Sequence, residues 1–267
     1  MKALILKELR ERRLSILAYL IGAIGLMWLY VSLFPTLQPQ MESYSKLLES
    51  FPKGISQAFG LDQRAFGTLE GFISSEMFSL MWPILLLFLS ISIAGSTIAG
   101  EIDKGTLATL LSQPISRTRL FVSKYCAGFM SIATFTLLSV FSIIPLAAVY
   151  SIQYQGKNYI SMAILGLMFG LAVFSFAMLL SSVTNSKGFV YSVSGGLLVL
   201  MYALNIIAGF KPSLEWVKYA SLFHYFNASG VIIHNHIDTL SYVVLIGIAI
   251  CCSIPALILF NKRDVSL

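Results

Sequence analysis

The stretch Tyr125–Gly156, YCAGFMSIATFTLLSVFSIIPLAAVYSIQYQG, lies between Lys124 and Lys157 and contains 32 consecutive residues without Asp, Glu, Lys or Arg. An α-helix rises about 1.5 Å per residue, so about 20 apolar residues cross a hydrocarbon core that is roughly 30 Å thick. The stretch is therefore long enough to form a membrane-spanning helix.

Five further uncharged runs have comparable lengths. They lie between Arg13 and Glu42 (28 residues), Glu76 and Glu101 (24), Lys157 and Lys187 (29), Lys187 and Lys211 (23), and Asp238 and Lys262 (23). The whole chain is 57% hydrophobic and 11% charged, whereas about a quarter of the residues in a soluble domain are charged. A soluble protein with buried helices is the alternative, but six such runs in succession argue against it. We predict an all-α integral membrane protein.

The predicted organisation is a single transmembrane domain, residues 1–267. Its six spans are 14–34, 78–100, 127–150, 160–183, 189–210 and 240–260. Residues 35–76 and 211–239 become external loops, and 101–124 a cytoplasmic loop. Residues 1–13 form an amphipathic interfacial helix; the apolar run that follows is too long for a signal peptide, so we expect an uncleaved first span. We expect Pro83, Pro145 and Pro255 to kink their spans.

Aromatic and small residues add detail to the spans. An aromatic belt at the span ends is expected from Trp28, Tyr30, Trp82, Tyr150, Tyr159, Trp216 and Tyr219. Gly166 and Gly170, and the adjacent Gly195 and Gly196, let helices approach closely. Packing within one subunit is favoured over a subunit interface, but both interpretations stay open.

Lysine and arginine are distributed unequally between the connecting segments, and this bias sets orientation. With both termini in the cytoplasm, the inner segments carry twelve Lys and Arg residues and the outer segments six. When Asp and Glu are included, the inside carries +7 and the outside −1, which sum to the net charge of +6. We predict that both termini are cytoplasmic. The basic charge requires no nucleic-acid partner, because anionic lipid attracts it.

The predicted spans contain no Asp, Glu, Lys, Arg or His. Ion-coupled carriers and voltage sensors usually need an ionisable group inside the membrane, so this absence argues against that class. The sequence has no G-x-x-x-x-G-K-[ST], H-E-x-x-H or G-x-S-x-G motif. His234 and His236 are interpreted as solvated loop residues, not as a metal site. We predict no catalytic, cofactor or metal site, and an energy source on another chain.

The cytoplasmic loop, GEIDKGTLATLLSQPISRTRLFVSK at residues 100–124, is the most informative connection. Gly105 loosens the chain, and Thr106 can cap a short helix. The next three leucines fall on one helical face, and Pro114 stops that helix. Ser116 can cap the following helix, with Arg117, Arg119 and Lys124 at headgroup level. The spacing fits either a rigid knob that contacts a partner or an interfacial helix that rests on lipid.

The pattern E-x-x-x-G-T-L-x-x-L-L-S-x-P-I-S-R-x-x-x-x-x-S-K resembles the signature of type 2 ATP-binding cassette permeases. The residues that carry it are Glu101, Gly105, Thr106, Leu107, Leu110, Leu111, Ser112, Pro114, Ile115, Ser116, Arg117 and Lys124. Looser similarities are the N-terminal helix, the first external loop with Phe59-Gly60 and Glu70-Gly71-Phe72, and a short helical segment at Trp216–Tyr225.

The resemblance implies a half-transporter whose cytoplasmic loop is a coupling helix that docks into a separate ATPase subunit. The residues assigned to coupling are Glu101, Gly105, Thr106, Leu107, Leu110, Leu111, Ser112, Pro114 and Arg117. The partners are that ATPase, which binds the ATP, a second identical or paralogous permease, and the lipid bilayer. The location is a bacterial cell membrane, and the expected function is export of a peptide, drug or lipid-like molecule. A non-transporting scaffold or sensor subunit is the alternative.

Overall fold

A computed structural model describes residues 1–48, 67–112, 114–210 and 212–263, with the backbone alone for residues 40–48, 212 and 213. All regular elements in these ranges are helical. They are α1 (Lys2–Leu48), α2 (Leu69–Asp103), α3 (Leu107–Leu111), α4 (Arg117–Phe141), α5 (Ile143–Val149), α6 (Gly156–Val183), α7 (Lys187–Phe210), a 3₁₀ segment (Pro212–Ala220), α8 (Leu222–Tyr225), α9 (Ala228–His234) and α10 (Thr239–Lys262).

Six helical segments of the described chain are long and apolar enough to cross a membrane. They are α1 as far as Pro39, α2, α4 together with α5, α6, α7 and α10. The predicted all-α fold with six spans is confirmed. Because the number of spans is even, the chain enters the first span and leaves the last span on the same side of the membrane. That this side is the cytoplasm stays a prediction.

The helices on both sides of the loop between the first and second spans extend beyond the predicted spans. Helix α1 runs without a break from Lys2 and continues past Pro35, so the N-terminal segment is not a separate helix. Helix α2 begins at Leu69, where Thr68 Oγ1 accepts a hydrogen bond from the Gly71 amide at 3.2 Å. This cap starts the helix nine residues before the predicted Phe78, and α2 passes through a π-helical segment, Ser74–Met81. The Phe59-Gly60 match lies outside the described residues.

The third span is interrupted near its predicted proline. Helix α4 ends at Phe141, and α5 begins at Ile143 with Pro145 in its first turn. The proline ring sterically blocks the carbonyl four residues earlier, and it has no N–H to donate. The interruption lies where a kink was predicted for this span.

Helix α6 is the centre of the bundle and packs against α2, α4 and α10. A Cβ atom on Gly166 would lie 2.5 Å from the Trp82 ring, and one on Gly170 would lie 2.9 Å from Ile132 Cγ2. These contacts confirm that this glycine pair packs within the subunit. Gly195 and Gly196 on α7 have open space at the Cβ position instead.

Trp82 and Tyr159 do not belong to the aromatic belt, because both side chains are completely buried. Trp82 donates its indole N–H to Ser139 Oγ at 2.9 Å and stacks on Phe226 at 6.1 Å between ring centroids. The early start of α2 explains the error, since it moves Trp82 from a helix end into the middle of the span. Trp28 and Trp216 are exposed, as a belt requires.

Candidate functional site: the coupling segment and its supports

The coupling segment, residues 101–124, turns sharply between α2 and α3 at Gly105. Gly105 has φ = +70°, a left-handed conformation that glycine adopts without a Cβ clash. Thr106 occupies the N-cap position of α3 but makes no side-chain cap bond. Its hydroxyl bonds the Glu101 carboxylate and the Glu101 carbonyl oxygen. The predicted helix start is confirmed, whereas the predicted capping role of Thr106 is wrong: the residue braces the turn.

The three leucines of α3 differ in burial. Leu107 is 1% exposed and belongs to the hydrophobic core, whereas Leu110 and Leu111 are partly buried at its margin. Helix α3 ends at Leu111, and the Ser112 amide donates to the Ala108 carbonyl at 3.0 Å. Pro114 follows three residues after the last helical residue, in agreement with the predicted stop. Leu107 therefore anchors α3, and the other two leucines remain accessible to a partner.

The end of the coupling segment is tied to the ends of two spans. Ser116 caps α4 by accepting from the Arg119 amide at 3.3 Å, as predicted. Arg117 donates to the Arg263 and Asn261 carbonyls, at the C-terminal end of α10. Arg263 in turn donates to the Ser182 carbonyl, which lies in the last turn of α6. The guanidinium of Arg117 thus satisfies carbonyls that a helix end leaves unpaired, and its predicted headgroup position stays a prediction.

A groove of about 410 Å³ lies between α1 and α3. Lys7 and Glu11 line it on the α1 side, and Thr109 and Leu110 line it on the α3 side. Lys104, in the turn between α2 and α3, also lines it. Lys7 and Glu11 form an exposed ion pair at 3.7 Å. The groove is therefore lined by charged side chains of both signs and by the aliphatic side chain of Leu110.

Behind this groove, four charged side chains form what we call the Lys124 cluster: Glu8, Arg12, Glu101 and Lys124. The Lys124 ammonium lies 2.5 Å from Glu8 Oε1 and 3.1 Å from Glu101 Oε1. Arg12 binds the other Glu8 oxygen at 2.9 Å and donates to the Ile93 carbonyl at 3.0 Å. Lys124 is 1% exposed and Glu8 7% exposed. The formal charges cancel, as burial requires.

The position of Lys124 corrects a prediction, because its ammonium is enclosed by carboxylates and does not lie at headgroup level. Glu8 and Arg12 were not predicted as site residues at all. A signal was present, since they are four residues apart and so face the same side of α1. The sequence does not show that Lys124, 116 residues further on, meets that face.

The opposite end of the bundle carries a second buried polar group. Glu70 is 7% exposed and accepts from the Gln155 amide at 2.6 Å, while Asn158 donates to the Ile232 carbonyl at 2.7 Å. These bonds hold the start of α2, the start of α6 and α9 together. The predicted short helices between the fifth and sixth spans are present and pack onto this end, where Phe226 contacts Phe169 at 4.5 Å between ring centroids.

The histidines lie near the same end. His236 lies 3.3 Å from Asp238, with both side chains exposed. Burial, together with the charge of Lys218, holds the pKa of His224 below its usual range, and Asp238 opposes that shift. Among the described residues, no group of three or more His, Cys, Asp and Glu side chains is placed to hold a metal ion.

A bundle of six spans, with a short helix between the second and third, defines a multi-pass membrane protein. The family model described as ABC-2 family transporter protein matches residues 3–265, and the chain belongs to this family. It is a transmembrane permease subunit of an ATP-binding cassette transporter, and its family implies association with an ATPase subunit. None of the curated proteins compared with the chain matches it.

Proposed function

We propose that the chain is the permease subunit of an exporter whose ATP is bound and hydrolysed by a separate subunit. In this proposal α3 is the coupling helix, and the face that carries α3 is cytoplasmic. The observation that carries the proposal is the geometry of α3: a five-residue helix fixed to the bundle by Leu107 and Gly105, with Leu110 open to a groove. A helix held in this way transmits a movement of the ATPase to α2 and α4.

The groove between α1 and α3 is the proposed docking surface for the ATPase. Its lining carries charges of both signs, Lys7, Glu11 and Lys104, which suit a polar protein surface, and Leu110 adds an apolar contact. Interfaces commonly combine an apolar centre with a polar rim. Three residues contribute indirectly, because they shape the turns at the two ends of α3: Glu101, Thr106 and Pro114.

The proposed cargo is amphiphilic: a peptide, a drug or a lipid-like molecule. The central parts of the spans are rich in apolar and aromatic side chains, and the buried charges of the described chain lie toward the helix ends. An apolar pathway accepts an amphiphile more readily than an ion, which needs charged or carbonyl ligands. The proposed assembly is a dimer of two such permeases in a bacterial cell membrane, with two ATPase subunits.

Replacement of Leu110 by Asp tests the docking surface. We expect the ATPase to copurify roughly tenfold less well, because a carboxylate replaces an apolar contact of the groove, and truncating an interface anchor commonly costs about 1–2 kcal/mol or more. Leu240→Asp, the same substitution at an exposed leucine at the start of α10, is the control and should leave copurification unchanged. Copurification of the two subunits in mild detergent is the measurement.

The melting temperature of the permease separates a docking defect from misfolding. Leu110→Asp should leave the melting temperature close to that of the unaltered protein, whereas Leu107→Asp should lower it because Leu107 is fully buried. Equal ATPase recovery from Leu110→Asp and the unaltered permease would show that α3 is not the docking helix.

A further inference from the structure

The Lys124 cluster joins three parts of the chain. Glu8 and Arg12 come from α1, Glu101 from the last turn of α2, and Lys124 from the second turn of α4. The Glu101 carboxylate also accepts a hydrogen bond from the Thr106 hydroxyl, so the cluster is connected to the residue directly before α3. A displacement of α3 therefore acts directly on a carboxylate that shares its ammonium partner with α1.

The arrangement of charges decides where this cluster can separate. If the bond between Glu101 and Lys124 broke alone, Glu101 would lose its lysine partner, and Lys124, Glu8 and Arg12 together would keep a net charge of +1. If the bond between Glu8 and Arg12 broke, Arg12 would be left with only a carbonyl acceptor. Only separation at the bond between Glu8 and Lys124 leaves two neutral pairs, Glu8 with Arg12 and Lys124 with Glu101. Buried charges without a partner are strongly disfavoured, so this bond is the point of separation.

We propose that the bond between Glu8 and Lys124 is a latch between α1 and the α2–α4 pair, closed in this structure and opened when the ATPase displaces α3. Lys124 is a positioning residue in this proposal, because it acts through Glu101 and Glu8. The two states have the same net charge and the same number of neutralised side chains. They can therefore have similar free energies, as a switch between two packed arrangements requires.

The inference rests on the proposed function, since it assumes that an ATPase moves α3. It goes beyond that function by assigning a role to α1: a movement that starts at the coupling helix reaches the first span through one ion pair. A merely structural ion cluster would stay closed in every nucleotide state. The distance between α1 and α4 therefore distinguishes a latch from a permanent brace.

The experiment uses the complex of permease and ATPase in lipid nanodiscs. Spin labels are attached through cysteines at the exposed positions Ala3 on α1 and Arg119 on α4, after Cys126, Cys251 and Cys252 are replaced by Ala. The distance between the labels is measured by pulsed electron paramagnetic resonance, without nucleotide and with ATP and vanadate. We expect one distance without nucleotide and a second, longer distance in the trapped state.

Glu8→Gln removes the charge that closes the latch and leaves the side-chain shape unchanged. Without nucleotide, we expect the fraction of molecules with the longer distance to be roughly fivefold or more higher than in the unaltered complex. Glu215→Gln is the control: the same substitution in an ion pair at the other end of the bundle, in a side chain that is 63% exposed. It should behave like the unaltered complex. Lys124→Arg should keep the closed state, whereas Lys124→Met should behave like Glu8→Gln.

Two outcomes would overturn the latch. One is a single distance that does not change with nucleotide in a complex that hydrolyses ATP. The other is a Glu8→Gln complex whose distances equal those of Glu215→Gln. If Glu8→Gln does not fold, Glu8→Asp replaces it, because the shorter side chain draws the carboxylate away from Lys124 while its charge still neutralises Arg12. Failure of the unaltered permease to bind an ATPase would instead refute the proposed function, and copurification reports that separately.

Discussion

At the scale of single residues, backbone conformation and partner geometry decide roles that residue type leaves open. Gly105 and Thr106 are adjacent, and both are consistent with a helix start. The structure makes Gly105 the turn, with φ = +70°, and directs the Thr106 hydroxyl back to Glu101. Thr106 therefore stabilises the turn that Gly105 makes, and the two residues together fix the direction in which α3 leaves α2.

Gly105→Ala should destabilise this turn. A Cβ atom there meets no other atom within 4 Å, so the whole effect comes from the left-handed backbone, about 1–2 kcal/mol for a residue with a Cβ atom. We expect weaker ATPase binding and faster proteolysis of the coupling segment. Limited trypsin digestion, which cuts after Lys104 and Arg117, is the measurement.

Gly22→Ala is the control for that change. Gly22 also has open space at the Cβ position, but it lies in α1 with an ordinary helical φ, where Ala is favoured over Gly by about 1 kcal/mol. The digestion rate of the coupling segment should be unchanged. A Gly105→Ala protein that is digested at the same rate as Gly22→Ala would show that the turn is not strained.

At the scale of helices, the glycine pair of α6 sets how closely the central helices approach. The Cβ position of Gly166 is filled by the Trp82 ring, which itself stacks on Phe135 and Phe226. Because interiors are close-packed, one added methyl group here must displace an aromatic ring that three helices contact. The distance between α2 and α6 depends on this residue having no side chain.

We expect Gly166→Ala to lower the free energy of unfolding by about 1–3 kcal/mol, the usual effect of overpacking. Gly195→Ala on α7 is the comparison, since no atom lies within 4 Å of its Cβ position, and it should be neutral or slightly stabilising. Thermal unfolding in detergent, followed by the fluorescence of Trp82 and the other tryptophans, measures both. An equal melting temperature for the two variants would contradict the packing argument.

At the scale of the whole molecule, charge is divided between the two ends of the bundle. The Lys124 cluster, Arg117 and Arg263 gather at the end that carries α3, whereas Glu70, His236 and Asp238 lie with the short helices at the other end. The excess of Lys and Arg on the segments at the first end indicates that it faces the cytoplasm.

A topology reporter tests this orientation. Fused after Leu267, it should read cytoplasmic, because six spans return the chain to the side on which it starts. The same reporter inserted between Ser151 and Gln155, in the connection between α5 and α6, should read external. The opposite pair of readings would reverse the orientation and remove α3 from the reach of a cytoplasmic ATPase.

The number and type of spans were determined by the sequence itself, because a run of more than 20 uncharged residues has few stable alternatives to a membrane helix. The short helix α3 was also predictable, since its helix signals and leucine spacing are local. The ends of α1 and α2 were not, because charged residues such as Glu76 extend a helix once a neighbouring helix or cap supports them.

Only the tertiary structure decided which charged side chains meet. Lys124 read alone is a basic residue at a span end, and Glu8 is one of several acidic residues near the N-terminus. Their bond spans 116 positions of sequence and depends on the packing of α1 against α4. Burial then makes the partners obligatory, because a charge without a partner is costly away from water. Periodicity along one helix carries no information about that packing, which is why the spans could be predicted and the Lys124 cluster could not.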